Sequence, residues 1–126
     1  MNQTAERIEQ AGPIRRGAVV WFAVFGGVVA WTEHLLALAA ITRFTCTKPG
    51  WKWAMHADTL ACVAITAVAT GLAYRLYRAG DPKAESDDSA AGRLAFLGVV
   101  GLALGAINLA LIIVEGVYAG VLRSCG

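Results

Sequence analysis

Apolar residues are gathered into three long runs along the chain, and short polar segments separate them. Each run is near or above the roughly 18 apolar residues that mark a candidate transmembrane helix. A soluble protein built from such runs would have no polar face to turn toward water. The pattern therefore predicts an all-α integral membrane protein with one transmembrane domain over residues 1–126 and spans at about 17–42, 55–78 and 94–122.

Composition agrees with this pattern. Of 126 residues, 57% are hydrophobic and only 16% are charged, whereas soluble domains are about a quarter charged. The first apolar run follows a polar segment and is longer than a signal-peptide core, so we expect no cleaved signal peptide. The net charge of +2 is too small to indicate a nucleic-acid partner, and no nucleic-acid motif is present.

Basic residues are unequally divided between the two ends of the predicted bundle. The positive-inside rule assigns the richer side to the cytoplasm. We therefore predict a cytoplasmic N-terminus and a C-terminus on the periplasmic or outer side, in the bacterial inner membrane. On the inside this gives seven basic residues, Arg7, Arg15, Arg16, Arg75, Arg78, Lys83 and Arg93, against Arg43, Lys48, Lys52 and Arg123 outside.

The chain has three cysteines, and their positions bear on this topology. Cys62 falls inside the second span, which predicts a buried and unpaired thiol. Cys46 follows the first span and Cys125 the third, so both lie on the same side of the membrane. On an oxidising outer side they can form a disulfide, which the loop-entropy model values at ~4 kcal/mol. The alternative is two unrelated thiols.

Two stripes of mostly small residues at helical spacing, one in the first span and one in the third, also include polar residues. Small residues let helices approach closely in membranes, so these stripes predict packing faces. In the first span the stripe is Ala23, Gly27, Ala30, His34, Ala37 and Ile41. In the third it is Gly98, Gly101, Gly105, Asn108, Ile112 and Glu115, in which Gly101 and Gly105 form a GxxxG pair.

The disulfide would also fix the relative depth of two polar residues. His34 lies twelve residues before Cys46, and Glu115 lies ten before Cys125. At ~1.5 Å per helical residue the two side chains differ in depth by only ~3 Å. A His34–Glu115 hydrogen bond or ion pair is therefore geometrically possible. Glu33 points about 100° away from its neighbour on the helix, toward the second span or a partner.

Four interpretations of these polar groups remain open. His34 and His56 are candidate axial ligands of a haem, although His56 and Asp58 are predicted to lie shallower than His34. A metal site is a second interpretation, with His34, His56, Glu115, Asp58 or Met55 as ligands. A proton relay is the third. The fourth is structural, with a buried His and Glu pairing with each other or with a neighbouring subunit.

Motifs of catalytic sites are absent from the sequence. No nucleophile elbow, phosphate-binding loop or zinc signature occurs. We therefore expect no enzymatic activity and name no catalytic residue.

Four short motifs resemble a family of small three-span bacterial membrane proteins. They are "WTEH" at 31–34, "TCT" at 45–47, "MHADTLA" at 55–61 and "RSCG" at 123–126. The resemblance implies a gene neighbourhood rich in haem-copper cytochrome oxidase genes, and Glu33 departs from the family's apolar residue. The positions that carry the resemblance are Trp31, His34, Cys46, His56 and Cys125.

These observations favour a non-catalytic accessory subunit of a larger membrane complex. The resemblance makes that complex a respiratory, cytochrome oxidase-type complex or supercomplex of the electron transport chain. The alternative is a small membrane protein that binds haem or copper through His34 and His56. A small transporter-like or regulatory oligomer is a third hypothesis. In each case the expected contacts are other membrane proteins and lipids.

Overall fold

The computed structural model describes residue 3 and residues 12–80 and 90–122. This part of the chain forms three long α-helices and a short 3-10 turn, and it contains no strand. The helices are α1 (Pro13–Thr47), α2 (Lys52–Ala79) and α3 (Ala90–Val121). All three are long and apolar enough to cross a membrane. The predicted all-helical architecture with three candidate spans is thus confirmed, and helices of this length and hydropathy indicate a multi-pass membrane protein.

Two prolines explain where α1 begins and where it ends. Pro13 occupies the first turn, where its missing N–H leaves no hydrogen bond unmade. At the other end, Lys48 precedes Pro49 and adopts an extended conformation with φ −136° and ψ 92°. A residue before proline is pushed out of the helical region by its ring, so the helix stops at Thr47.

The turn between α1 and α2 folds the chain back along α1. The ring of Trp51, at the end of the 3-10 turn, lies 6.3 Å from the ring of Phe44. This ring contact places the Trp51 side chain beside the last turn of α1. From there α2 runs back along α1, and its Asp58 side chain reaches His34 of α1.

The glycine stripe of α3 is buried, as predicted, but it packs mainly against α2. A Cβ atom on Gly98 would lie 2.7 Å from the Cα of Tyr77. A Cβ on Gly101 would lie 2.8 Å from the Cβ of Ala73 and 2.9 Å from the carbonyl oxygen of Ala23. The backbones approach this closely because the glycines have no side chain.

Two small apolar clusters form the interior of the bundle. The first consists of Ala23, Ala73 and Leu76. The second lies nearer the α1–α2 turn and consists of Ala30, Cys62 and Ile112. Each cluster takes side chains from at least two of the helices, so the helices depend on one another for burial.

Six threonine hydroxyls donate hydrogen bonds to carbonyl oxygens of their own helix. Such bonds satisfy a hydroxyl where no water is available. The acceptors are carbonyl oxygens three or four residues earlier, at 2.6–3.0 Å. The donors are Thr32, Thr42, Thr45, Thr47, Thr59 and Thr70.

Candidate functional site

Polar side chains from all three helices meet next to the second apolar cluster. We call this set the polar layer. It lies in the half of the bundle nearer the α1–α2 turn, and three hydrogen bonds connect its members in pairs across helix interfaces. Its members are Trp31, Glu33 and His34 of α1, Asp58 and Cys62 of α2, and Glu115 of α3.

His34 pairs with Asp58. The Nδ1 atom of His34 is 2.8 Å from Oδ2 of Asp58, and the two side chains are 0% and 15% exposed. Nδ1 is the donor in this contact when the Asp58 carboxyl is ionised, because an ionised carboxylate only accepts hydrogen bonds. The other ring nitrogen, Nε2, is buried and has no partner among the described residues.

Glu115 pairs with Trp31 instead of His34. The indole N–H of Trp31 donates to Oε1 of Glu115 at 3.1 Å. The His34–Glu115 pair that their similar depths allowed is therefore not formed, although both residues lie on the faces assigned to them. The reason is the fold-back after Thr47, which brings Asp58 to the depth of His34 and gives the imidazole a nearer carboxylate. Asp58 therefore lies at the depth of His34, contrary to the prediction that it is shallower.

Glu33 contacts α2, one of the two directions predicted for it. The thiol of Cys62 donates to Oε2 of Glu33 at 3.0 Å. Cys62 is 1% exposed and is a free cysteine, as predicted for a thiol inside the second span. Glu33 itself is exposed on the outer surface of the bundle, even though it lies in the apolar stretch of α1.

His34, Asp58 and Cys62 bring three metal-ligating atom types together. The candidate ligand atoms of the three residues all lie within 4.8 Å of one another. The set offers an imidazole nitrogen, a carboxylate oxygen and a sulfur. Cys62 is not among the metal ligands named from the sequence, which predicts only a buried and unpaired thiol. The sequence does indicate its proximity to Asp58, because a spacing of four residues puts both side chains on one face of α2.

His56 does not join His34. It is exposed, and its Cε1 lies 3.3 Å from the place of a Cβ on Gly120 of α3. Because it precedes Asp58 by two residues, it points about 200° away around α2. The two histidines predicted as haem ligands therefore do not face each other: His34 is buried between the helices, and His56 is exposed. Met55, another ligand named from the sequence, is buried.

The predicted packing residues of α3 lie at helix contacts. Gly101 and Gly105 are buried, and Gly105 faces the Thr70 side chain. Asn108 is 5% exposed and donates to the carbonyl of Leu104 in its own helix at 2.7 Å. Asn108 thus contributes to packing without a hydrogen bond to another helix among the described residues.

The residue predicted to pair with Cys46 lies outside the part of the chain that the structure describes. Cys46 lies in the last turn of α1. Cys125 lies outside the described residues, so the predicted Cys46–Cys125 disulfide stays a prediction.

An apolar groove runs along the outside of α1 and ends at Glu33. We call it the Glu33 groove, and its volume is about 430 Å³. It is open to the surface of the bundle between α1 and α2. The residues that form it include Trp21, Phe25, Val29, Glu33 and Ile65. The rings of Trp21 and Phe25 stack with centroids 4.9 Å apart, which stiffens one end of the groove.

The chain matches no protein-family model, and no curated protein or solved structure is detectably similar to it. The resemblance to oxidase-associated bacterial proteins therefore stays a prediction. The structure shows a bundle of three helices long and apolar enough to cross a membrane, with a polar layer between them, and this indicates a small multi-pass membrane protein.

Proposed function

We propose that this chain is a non-catalytic accessory subunit of a larger membrane complex in the bacterial inner membrane. In this proposal its N-terminus is cytoplasmic and its C-terminus periplasmic, in line with the distribution of basic residues. The observation that carries the proposal is the exposed carboxylate of Glu33 in the apolar stretch of α1.

Glu33 is incompletely satisfied within this chain. Its one hydrogen bond among the described residues comes from the Cys62 thiol, which is a weak donor. Charged side chains in membrane spans face protein or water rather than lipid, because each costs about 3 kcal/mol at the centre of a bilayer on insertion scales. A neighbouring protein that covers Glu33 removes this cost.

The Glu33 groove indicates what kind of neighbour that is. Its walls are aromatic and aliphatic, and its polar end is a carboxylate. The occupant with matching chemistry is a transmembrane helix with apolar side chains and one basic or hydrogen-bond-donating side chain opposite Glu33. Such a donor gains a charge-assisted hydrogen bond where water is excluded.

The resemblance of the sequence motifs to oxidase-associated proteins supports a particular partner. In this proposal the helix in the Glu33 groove belongs to a respiratory, cytochrome oxidase-type complex. A polar pair between helices of two subunits contributes on average well under ~2 kcal/mol. The apolar walls of the groove therefore supply most of the contact.

The experiment compares two valines that are both exposed in the isolated chain. Val29 lies in the groove, and Val117 lies on α3 outside it; they are 66% and 59% exposed. In mild detergent we expect wild type to migrate on native gels with a larger, haem-containing complex. Val29→Trp fills the groove and is expected to release the chain, whereas Val117→Trp is expected to leave it bound.

Two outcomes contradict the proposal. One is wild-type protein that migrates alone, or only with copies of itself, from native membranes. The other is equal release by the two tryptophan substitutions, since this would show that the groove is not the contact.

A further inference from the structure

We propose that His34, Asp58 and Cys62 form a binding site for one divalent transition-metal ion of the Zn²⁺ type. The three ligands come from two helices, and their candidate ligand atoms already lie within 4.8 Å of one another. All three residues are buried or half-buried. The site does not depend on the proposed partner complex.

The spacing of the ligand atoms suits a tetrahedral ion. Zinc binds nitrogen, oxygen and sulfur at about 2.0–2.3 Å, which puts neighbouring ligand atoms roughly 3.5 Å apart. Nδ1 of His34 and Oδ2 of Asp58 are now 2.8 Å apart. An ion that replaces the proton between them requires only a small separation of the two side chains.

The donor types select the class of metal. Magnesium and calcium take oxygen ligands almost exclusively, so a set containing sulfur and imidazole does not suit them. Copper(I) favours thiolate and thioether ligands over a carboxylate. Zinc accepts thiolate, imidazole and carboxylate in one site, and this mixture is what the three residues offer.

Glu33 is the proton acceptor beside the loaded site. A thiol binds metal as the thiolate, so the S–H bond of Cys62 breaks and the sulfur lone pair binds the ion. The proton moves to Oε2 of Glu33, which accepts from this thiol at 3.0 Å. One ion with two positive charges then meets one thiolate, the Asp58 carboxylate and neutral His34, so the group is neutral and suited to an apolar interior.

Glu115 supplies a matching acceptor near the site. When a metal binds Nδ1 of His34, the ring proton resides on Nε2. Metal-bound histidines donate this second N–H, often to a carboxylate. Nε2 of His34 and Oε2 of Glu115 are both buried and both lack a partner among the described residues. Trp31, which holds the other oxygen of Glu115, lies one helical turn from His34.

The test titrates Co²⁺ into the purified, chelator-treated full-length protein in detergent. Cobalt adopts zinc geometry and reports on its ligands through its visible and near-ultraviolet spectrum. We expect one Co²⁺ per chain, visible bands of tetrahedral intensity, and a thiolate-to-cobalt charge-transfer band. We also expect Zn²⁺ to displace the cobalt and abolish these bands.

Variants assign the bands to the site. Cys62→Ser is expected to remove the charge-transfer band, and His34→Gln or Asp58→Asn to weaken binding at least about tenfold. Thr66→Val is the control, because Thr66 is buried one turn from Cys62 on the same face of α2 and is not a ligand. Its spectrum and affinity are expected to match those of wild type.

A second measurement works on the wild-type chain without any substitution. Saturating Zn²⁺ is expected to slow alkylation of Cys62 by a small maleimide at least about tenfold, because the metal-bound sulfur is not free to react. The proposal is overturned if wild type gives the spectrum of free Co²⁺ and Zn²⁺ leaves the alkylation rate unchanged. It is also overturned if Cys62→Ser keeps the charge-transfer band.

Discussion

At the scale of single residues, the polar layer is organised by which donor reaches which carboxylate. Three acidic side chains lie within it, and each has a different partner: a thiol for Glu33, an imidazole for Asp58 and an indole for Glu115. Each pair crosses between two helices. Where the acceptor is buried, removing its donor leaves it without a partner, and that loss costs more than the bond itself contributes.

Trp31 gives the clearest case for a measurement. Trp31→Phe keeps an aromatic ring but removes the N–H that bonds to Glu115. We expect a loss of about 1–3 kcal/mol in unfolding free energy, because both oxygens of Glu115 then lack a partner. Thermal or denaturant unfolding in detergent measures it.

The matched control is Trp53→Phe. Trp53 is 68% exposed and makes no side-chain hydrogen bond among the described residues, so this change is expected to stay within about 0.5 kcal/mol of wild type. Equal destabilisation by the two changes would show that the Trp31–Glu115 bond contributes nothing specific.

At the scale of helices, close contact between α2 and α3 depends on glycines. A Cβ on Gly98 would lie 2.5 Å from the backbone nitrogen of Tyr77. Because the neighbour is backbone and not a flexible side chain, the helices must separate to accept it. Gly71 is a helical glycine of α2 with no atom within 4 Å of such a Cβ.

We therefore expect opposite effects from the same chemical change at these two positions. Gly98→Ala is expected to destabilise the bundle by about 1–3 kcal/mol through overpacking. Gly71→Ala is expected to stabilise it by about 0.5–1 kcal/mol, because alanine favours a helix over glycine. Unfolding in detergent compares them, and a stabilising Gly98→Ala would contradict the packing described.

The three helices could be predicted from sequence because uninterrupted apolar runs have few other stable arrangements. Each helix begins three or four residues before its predicted span, since helical structure continues into the polar flanks. Burial of the small-residue stripes also followed from spacing. The pairing of His34 did not, because it depends on the fold-back of the chain at Trp51. A shift of one helical turn changes which carboxylate an imidazole reaches.

At the scale of the whole molecule, the predicted Cys46–Cys125 disulfide would tie the end of the first span to the end of the third. We expect a faster mobility of the wild-type chain on non-reducing gels than on reducing gels, lost in Cys125→Ser. Cys62→Ser should retain the difference, since Cys62 is a free thiol.

The same mobility on both gels would contradict the predicted disulfide, and with it the link between the first and third spans. In the bonded protein, reduction is expected to lower the unfolding free energy by about 4 kcal/mol.

In the proposed function, the exposed Glu33 and the groove beside it are the contact with a partner subunit. The most direct measurement is a photo-reactive amino acid at position 29, in the groove, compared with the same residue at position 117. We predict that irradiation of native membranes joins position 29 to a transmembrane subunit of a haem-copper oxidase-type complex, while position 117 gives no such product. Cross-links from position 29 only to lipid or to a second copy of this chain would contradict the account.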